Sequence, residues 1–258
     1  MLIEKMIFRP TRQLEQRPED HGLQYEDVRF PTAGGLTLHG WFFPGHANAK
    51  LLWLHGNTGN MRHRLDLTRL LMDRVGASLF AFDYRGYGMS QGKPSEQGVY
   101  ADAEAAAQWL RQKGQPGAPL FYFGQSLGSA VAIELERRQP PAGLIIESAF
   151  TSVRERSAEA LTGKLIAPIF GDTFDSLKKI GSLKTPLLMI HGEEDGVVGA
   201  KHAHRLFQRA PQPKQLYLVR GADHGDCYVA GGEAYFATIK DFIDSASRQT
   251  QTGGKERP

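Results

Sequence analysis

Short apolar runs recur along this chain, each followed by Gly, Asn or Asp and then by a stretch with helical spacing, and this alternation restricts the fold more than any other feature. A strand that passes through a helix before the next strand makes a crossover, which lays its strands parallel in one sheet. Runs at 51–54, 78–82, 120–123, 144–146, 187–190 and 215–219 follow this rhythm. In the middle runs the apolar residues are consecutive rather than alternating, as in strands covered on both faces. Upstream, 28–30 and 36–43 are joined through Thr32-Ala33-Gly34-Gly35 and read as an antiparallel hairpin at one edge. The expected class is α/β: an eight-stranded, mainly parallel sheet with helices on both faces. Helices are predicted over about 61–75, 96–112, 127–138, 153–161, 174–180, 201–209 and 232–245. Ser152-x-x-Glu155 is a capping-box pattern, and Gly181 stands where a helix should stop.

No repeat and no Pro- or Ser-rich linker divides the 258 residues. One domain is expected over 25–246, with a leader at 1–24, a minimal cap inserted at about 148–182 and a flexible tail at 247–258. An apolar fraction of 41% suits a packed core and excludes intrinsic disorder. The balance of 31 basic against 28 acidic residues, net +3, argues against a nucleic-acid partner. Cys227 is the single cysteine, so an internal disulfide and a thiolate metal site are both excluded. With no signal-peptide core after Met1 and no apolar run of about 18 residues, a cytoplasmic location is expected. Leu2, Ile3, Met6, Ile7 and Phe8 form an apolar cluster that packs on its own domain or, as the less expected alternative, touches a membrane surface.

The chemistry is concentrated in the segment from Pro119 to Ala130, where an apolar strand runs into Gly124-Gln125-Ser126-Leu127-Gly128 and then into a small-residue helix. This is the context of a nucleophile elbow. A serine on so sharp a turn takes strained dihedrals while the flanking chain approaches other backbone, and Gly124 and Gly128 lack the Cβ that would clash. Leu127 opens the helix, so its N–H faces the place where an oxyanion would form. A hydroxyl is a weak nucleophile and needs a base and an acid, which in such sheets follow in the order Ser, Asp or Glu, His on later strand-end loops. After 187–190 comes His191-Gly192-Glu193-Glu194-Asp195-Gly196; Asp195, short and deep in the loop, is the expected acid, with Glu194 as the alternative. After 215–219 comes Gly221-Ala222-Asp223-His224-Gly225. Only His224 of the nine histidines occupies a strand-end loop beyond the acids, since His202 and His204 fall on a helix. The turn Leu54-His55-Gly56-Asn57-Thr58 supplies the second oxyanion donor, the N–H of Asn57 or, failing that, of Thr58, with His55 as a structural hydrogen-bonder.

Other patterns carry less. Gly86-x-Gly88-x-x-x-Gly92 has the wrong spacing for a dinucleotide loop and reads as a structural turn in which Asp83 pairs with Arg85. His202 and His204 stand two apart on a helix, their rings pointing apart, so no metal site is expected. Phe150, Leu165, Ile166, Ile169 and Phe170 line an apolar acyl pocket or are core residues.

The blocks HGNTGN, FDYRGYGMSQGKPSE, GQSLG, ESAFTS, HGEEDGVV and GADHGD, in that order over about 25–245, resemble the serine α/β-hydrolases of the bud-emergence type, relatives of the α/β-hydrolase-domain-containing proteins. The resemblance implies the α/β-hydrolase fold and an esterase-like enzyme without cofactor, its triad carried by Ser126, Asp195 and His224. In one departure, Gly199 stands where that family usually has Pro. The expected activity is hydrolysis of small-molecule carboxylic esters with short or medium acyl groups. Acyl-protein or acyl-CoA thioesterase, serine aminopeptidase and a non-catalytic ligand-binding or scaffold protein are the alternatives.

Overall fold

The computed structural model of the chain describes residues 2–13, 16–159 and 163–253. A short helix, α1 (Leu2–Ile7), leads to β1 (Arg9–Pro10), then β2 (Glu26–Pro31), β3 (Thr37–Phe43), β4 (Ala47–Leu54) and β5 (Thr58–Gly59). A 3₁₀ turn (Met61–Arg64) runs into α2 (Leu65–Arg74), followed by β6 (Ala77–Asp83), α3 (Glu96–Gln112), β7 (Leu120–Gln125), α4 (Leu127–Arg138) and β8 (Gly143–Glu147). Next come α5 (Val153–Ala158), α6 (Gly163–Ile166), a 3₁₀ turn (Ala167–Phe170) and α7 (Ser176–Ile180). The chain ends in β9 (Leu187–Gly192), α8 (Lys201–Arg209), β10 (Lys214–Val219) and α9 (Cys227–Gly253).

Eight strands form one sheet in the order β10-β9-β8-β7-β4-β6-β3-β2, and every neighbouring pair is parallel except β2/β3 and β3/β6. The sheet is therefore the expected one, with the hairpin at its edge. Consecutive apolar residues are needed because alternate side chains feed two different cores. Leu52 and Leu54 of β4 pack with α3 and α4, whereas Leu51 and Trp53 pack on the other face with α2 and α9. Ser152 caps α5, its Oγ accepting from the Glu155 N–H at 3.1 Å.

Two stretches differ from expectation, the leader and the last helix, each for a local reason. The leader contains α1, and β1 pairs with β5 through Arg9 N–H to Asn57 O at 3.0 Å; a two-residue strand leaves no periodic signal. Ile7 and Phe8 are buried, with Phe8 edge-on to Phe174 at 6.0 Å, so part of the apolar cluster at 2–8 faces the domain; the side chain of Leu2 lies outside the described residues. A short helical turn from Cys227 precedes the predicted last helix and is set off from it by a break at Gly232 (φ 50°), and that helix continues to Gly253, past the position where a tail is expected. Residues 254–258, like Leu161 at the end of the predicted helix 153–161, lie outside the described residues. Among the described residues no helix is long and apolar enough to cross a membrane.

Phe80 of β6 is fully buried, with its ring 5.5 Å from Phe30 and 4.4 Å from Trp109. Phe80→Ala is expected to lower stability by about 3–5 kcal/mol, the usual cost of an aromatic-sized cavity. Denaturant unfolding measures this, and a loss below about 1 kcal/mol would contradict the two-core packing.

Candidate active site

Strand β7 ends at Gln125 and α4 begins at Leu127, so Ser126 alone makes the turn, with φ 51° and ψ −115°. For a non-glycine residue this backbone is strained, and the packing around it enforces the strain. A Cβ on Gly128 would lie 1.8 Å from the Leu54 carbonyl oxygen, and one on Gly124 would lie 2.4 Å from that of Gly128. The glycines thus let α4 press against β4. The Ser126 N–H donates to Glu147 O of β8 at 2.9 Å, fixing the turn from the other side.

His224 follows β10, and its Nε2 lies 3.1 Å from Ser126 Oγ. Its Nδ1 lies 2.8 Å from Asp195 Oδ2, in the loop after β9. The other Asp195 oxygen accepts the N–H groups of Val197 and Val198 at 2.9 and 2.7 Å, which aims Oδ2 at the ring. Burial pushes the Asp195 carboxyl upward, but the His224 ring and the Val198 N–H outweigh it and hold the group below the ordinary carboxylate range. Glu193 and Glu194 are exposed, and it is Asp195, not the alternative acid Glu194, that is hydrogen-bonded to His224. Three side chains far apart in sequence therefore meet at the carboxyl edge of the sheet.

Of the two expected oxyanion donors, Leu127 directly follows Ser126 and Asn57 lines the same cavity as Ser126. Leu127 is the first residue of α4, where an N–H has no intrahelical acceptor. Asn57 is held from outside: its carbonyl accepts from Arg9 N–H and from Tyr87 Oη at 2.7 Å, and its Nδ2 donates to Ile7 O at 2.8 Å. Gly56, Asn57, Arg64, Ser126, His224 and Tyr228 line a cavity of about 260 Å³. A larger depression of about 600 Å³ lies at the opposite edge of the sheet, beside Lys50, Pro119 and Lys184, away from any of this chemistry.

His55 is buried between Tyr84 and Tyr87, donates from Nδ1 to Gly56 O at 2.7 Å, and is driven by burial down to about 3, so it is a neutral strut. The expected pair of Asp83 and Arg85 does not form. Arg85 instead binds Asp102 of α3 at 2.8 Å, because the chain leaves the sheet after Asp83. Asp83 is buried, accepts the Met61 N–H at 2.8 Å, and is pushed by burial up to about 7. None of the five residues considered for an acyl pocket lines the cavity. Phe150 and Phe170 are core residues, whereas Leu165, Ile166 and Ile169 face outward from the segment between β8 and β9, and Leu165 is 87% exposed. His202 is buried against Thr151 and Glu159 while His204 is exposed, and among the described residues no cluster could hold a metal ion. Cys227 is buried at the start of α9, and burial raises its thiol far above the usual range.

A network behind the serine has no sequence signal. Glu147 accepts from Gln125 Nε2 at 2.7 Å and Tyr235 Oη at 2.5 Å, and Gln125 Oε1 accepts from Trp53 Nε1 at 3.2 Å. It ties β4, β7, β8 and α9 together directly beneath the elbow. Buried polar groups fully satisfied in this way rigidify what they connect.

Comparison with known proteins gives the family and the fold. A family model described as "Serine aminopeptidase, S33" matches residues 45–179. An uncharacterized protein of Mycobacterium tuberculosis is 38% identical over 221 residues, covering 84% of this chain and 78% of its own. The human α/β hydrolase domain-containing protein 17B is 35% identical over 217 residues, covering 82% of this chain and 73% of its own. Among solved structures, the Pyrococcus furiosus esterase Pf2001 superposes with a TM-score of 0.78 at 21% identity, over 93% of this chain and 98% of its own, a likeness of fold.

The buried Asp83 makes stability depend on pH. An acid whose folded pKa is raised contributes stability that is complete below the unfolded value and is lost as pH rises through the folded value. Between about pH 4 and pH 8 the wild-type protein is expected to lose on the order of 2–4 kcal/mol more than Asp83→Asn, whose amide oxygen still accepts from Met61. Denaturant midpoints at the two pH values measure the difference, and parallel losses would show that Asp83 is not buried as a carboxyl.

Proposed function

Because the chain belongs to the α/β-hydrolase family whose model is described as serine aminopeptidase, S33, we propose that this hydrolase cleaves carboxylic esters of small molecules through a covalent acyl-serine. The observation that carries this reading is the continuous relay from Ser126 Oγ through His224 to Asp195, at 3.1 and 2.8 Å. Each group has the chemical character its role needs. His224 Nε2 takes the hydroxyl proton as Oγ bonds to the carbonyl carbon, and the carbonyl electron pair moves onto oxygen. The N–H groups of Asn57 and Leu127 hold that oxyanion. The pair returns, the C–O bond to the leaving alcohol breaks, and His224 delivers its proton to the departing oxygen. Water repeats the sequence and frees the acid. Asp195, ionised because its oxygens are hydrogen-bonded, steadies the imidazolium formed in each half.

The cavity of about 260 Å³ favours a short or medium acyl group over a long chain. A hydroxyl at the elbow also excludes the carboxylate-nucleophile chemistry of dehalogenation or epoxide opening.

Ser126→Ala is expected to lower ester turnover by about 10³-fold or more with little change in thermal stability. A fluorophosphonate probe should add one phosphonyl group to the wild-type protein at Ser126 and none to the variant. Equal turnover by both proteins would remove Ser126 from the reaction, and no turnover with no adduct at Ser126 would leave the fold as a binding scaffold.

A further inference from the structure

Among the described residues, one cation in the cavity has no carboxylate partner of its own. Arg64 closes the 3₁₀ turn before α2, and its guanidinium forms part of the cavity wall beside Ser126, His224 and Tyr228. It donates only long hydrogen bonds, from Nη2 to Thr58 O at 3.4 Å and from Nη1 to His63 O at 3.5 Å. A guanidinium carries five N–H donors, so most of its capacity is unused. Among the described residues no carboxylate lies within ion-pair distance of it. The two nearest in charge, Asp83 and Glu147, are engaged elsewhere, with the Met61 N–H and with Gln125 and Tyr235. Arg85, the enclosed arginine of the neighbouring loop, by contrast grips Asp102 with Nε and Nη2.

The position of Arg64 relative to the nucleophile follows from Gly56. A Cβ placed there would lie 3.5 Å from Ser126 Cβ and 3.8 Å from Arg64 Nη2, so the serine and the guanidinium border one gap that a missing side chain keeps open. A substrate whose carbonyl sits at Ser126 Oγ must pass a neighbouring group through this gap. An apolar group there would enclose a half-solvated cation, whereas an anion would satisfy it with charge-assisted, fork-shaped hydrogen bonds. Glu147 also lines the cavity, which favours a singly charged carboxylate over a phosphate.

Resting on the ester-hydrolase reading above, we propose that Arg64 is a specificity-determining residue that binds a carboxylate carried by the substrate a few atoms from the scissile carbonyl. The carboxylate is on the acyl side or the alcohol side, and the substrates of the test separate the two. Acyl-side charge is probed with mono-4-nitrophenyl succinate against its neutral methyl ester. Alcohol-side charge is probed with acetylsalicylate against methyl acetylsalicylate. For one of these pairs the wild-type protein is expected to favour the charged ester in kcat/KM once intrinsic reactivity in buffer is divided out. Arg64→Gln should cut that charged-to-neutral ratio by roughly 10- to 100-fold, the worth of a charged hydrogen bond, and Arg64→Lys should retain part of it. The inference is overturned if neither pair shows a preference in the wild-type protein, or if the preference survives in Arg64→Gln. The wild-type ratios need no variant, so a substitution that fails to fold leaves the inference falsifiable. Hydrolysis of the neutral esters with no charge preference defeats the role of Arg64 alone; absence of all ester turnover defeats the hydrolase reading and this inference with it.

Discussion

The close approach of α4 to β4 at Gly128 governs the rest of the site. With a Cβ there only 1.8 Å from a carbonyl oxygen, the helix could not start where it does, and Ser126 would relax out of its positive-φ turn. The strain stays because the surroundings over-determine it. The Ser126 N–H is tied to β8, and Ser129 Oγ lies 2.7 Å from Gly124 O and 2.9 Å from Glu147 O. Strand pairing then carries the geometry outward. β8 bonds β9, β9 bonds β10, and the loops after those last two strands bring Asp195 and His224 over the serine.

Electrostatics sorts the buried polar groups into two kinds. Asp195 keeps its charge because two backbone N–H groups and an imidazole replace the water it lost. Asp83 and Glu147, with burial opposed by fewer or neutral partners, are pushed upward instead. His55 is held neutral by the same burial, which keeps a second imidazolium away from the relay. The leader contributes mechanically: Ile7 O and the Arg9 N–H grip Asn57, so the segment ahead of the sheet helps hold the proposed oxyanion donor.

Much of this was legible in the sequence because it depends on local patterns. Consecutive apolar runs marked strands buried on two faces, and Gly124-x-Ser126-x-Gly128 marked a turn that only those glycines permit. The order of the acid and histidine loops makes Asp195 and His224 the candidates, and the structure sets His224 beside Ser126 and Asp195 beside His224. What was not legible depends on distant contacts. β1 is two residues long and exists only against β5. Arg85 chose Asp102 over Asp83 because of where α3 docks. The segment between β8 and β9 carried apolar residues suited equally to a pocket or a core. Packing split them, burying Phe150 and Phe170 and leaving Leu165 and Ile169 outside. Arg64 carries no sequence signal, because its meaning comes from Gly56 and Ser126 beside it.

That the strained serine, the imidazole and two backbone N–H groups form one reacting centre is tested most directly by a crystal structure of the covalent phosphonate adduct. The phosphonyl oxygen should lie about 2.7–3.1 Å from the backbone nitrogens of both Asn57 and Leu127, with His224 Nε2 facing the phosphorus substituents. An adduct whose oxygen points to solvent, or an imidazole swung off Asp195, would contradict it.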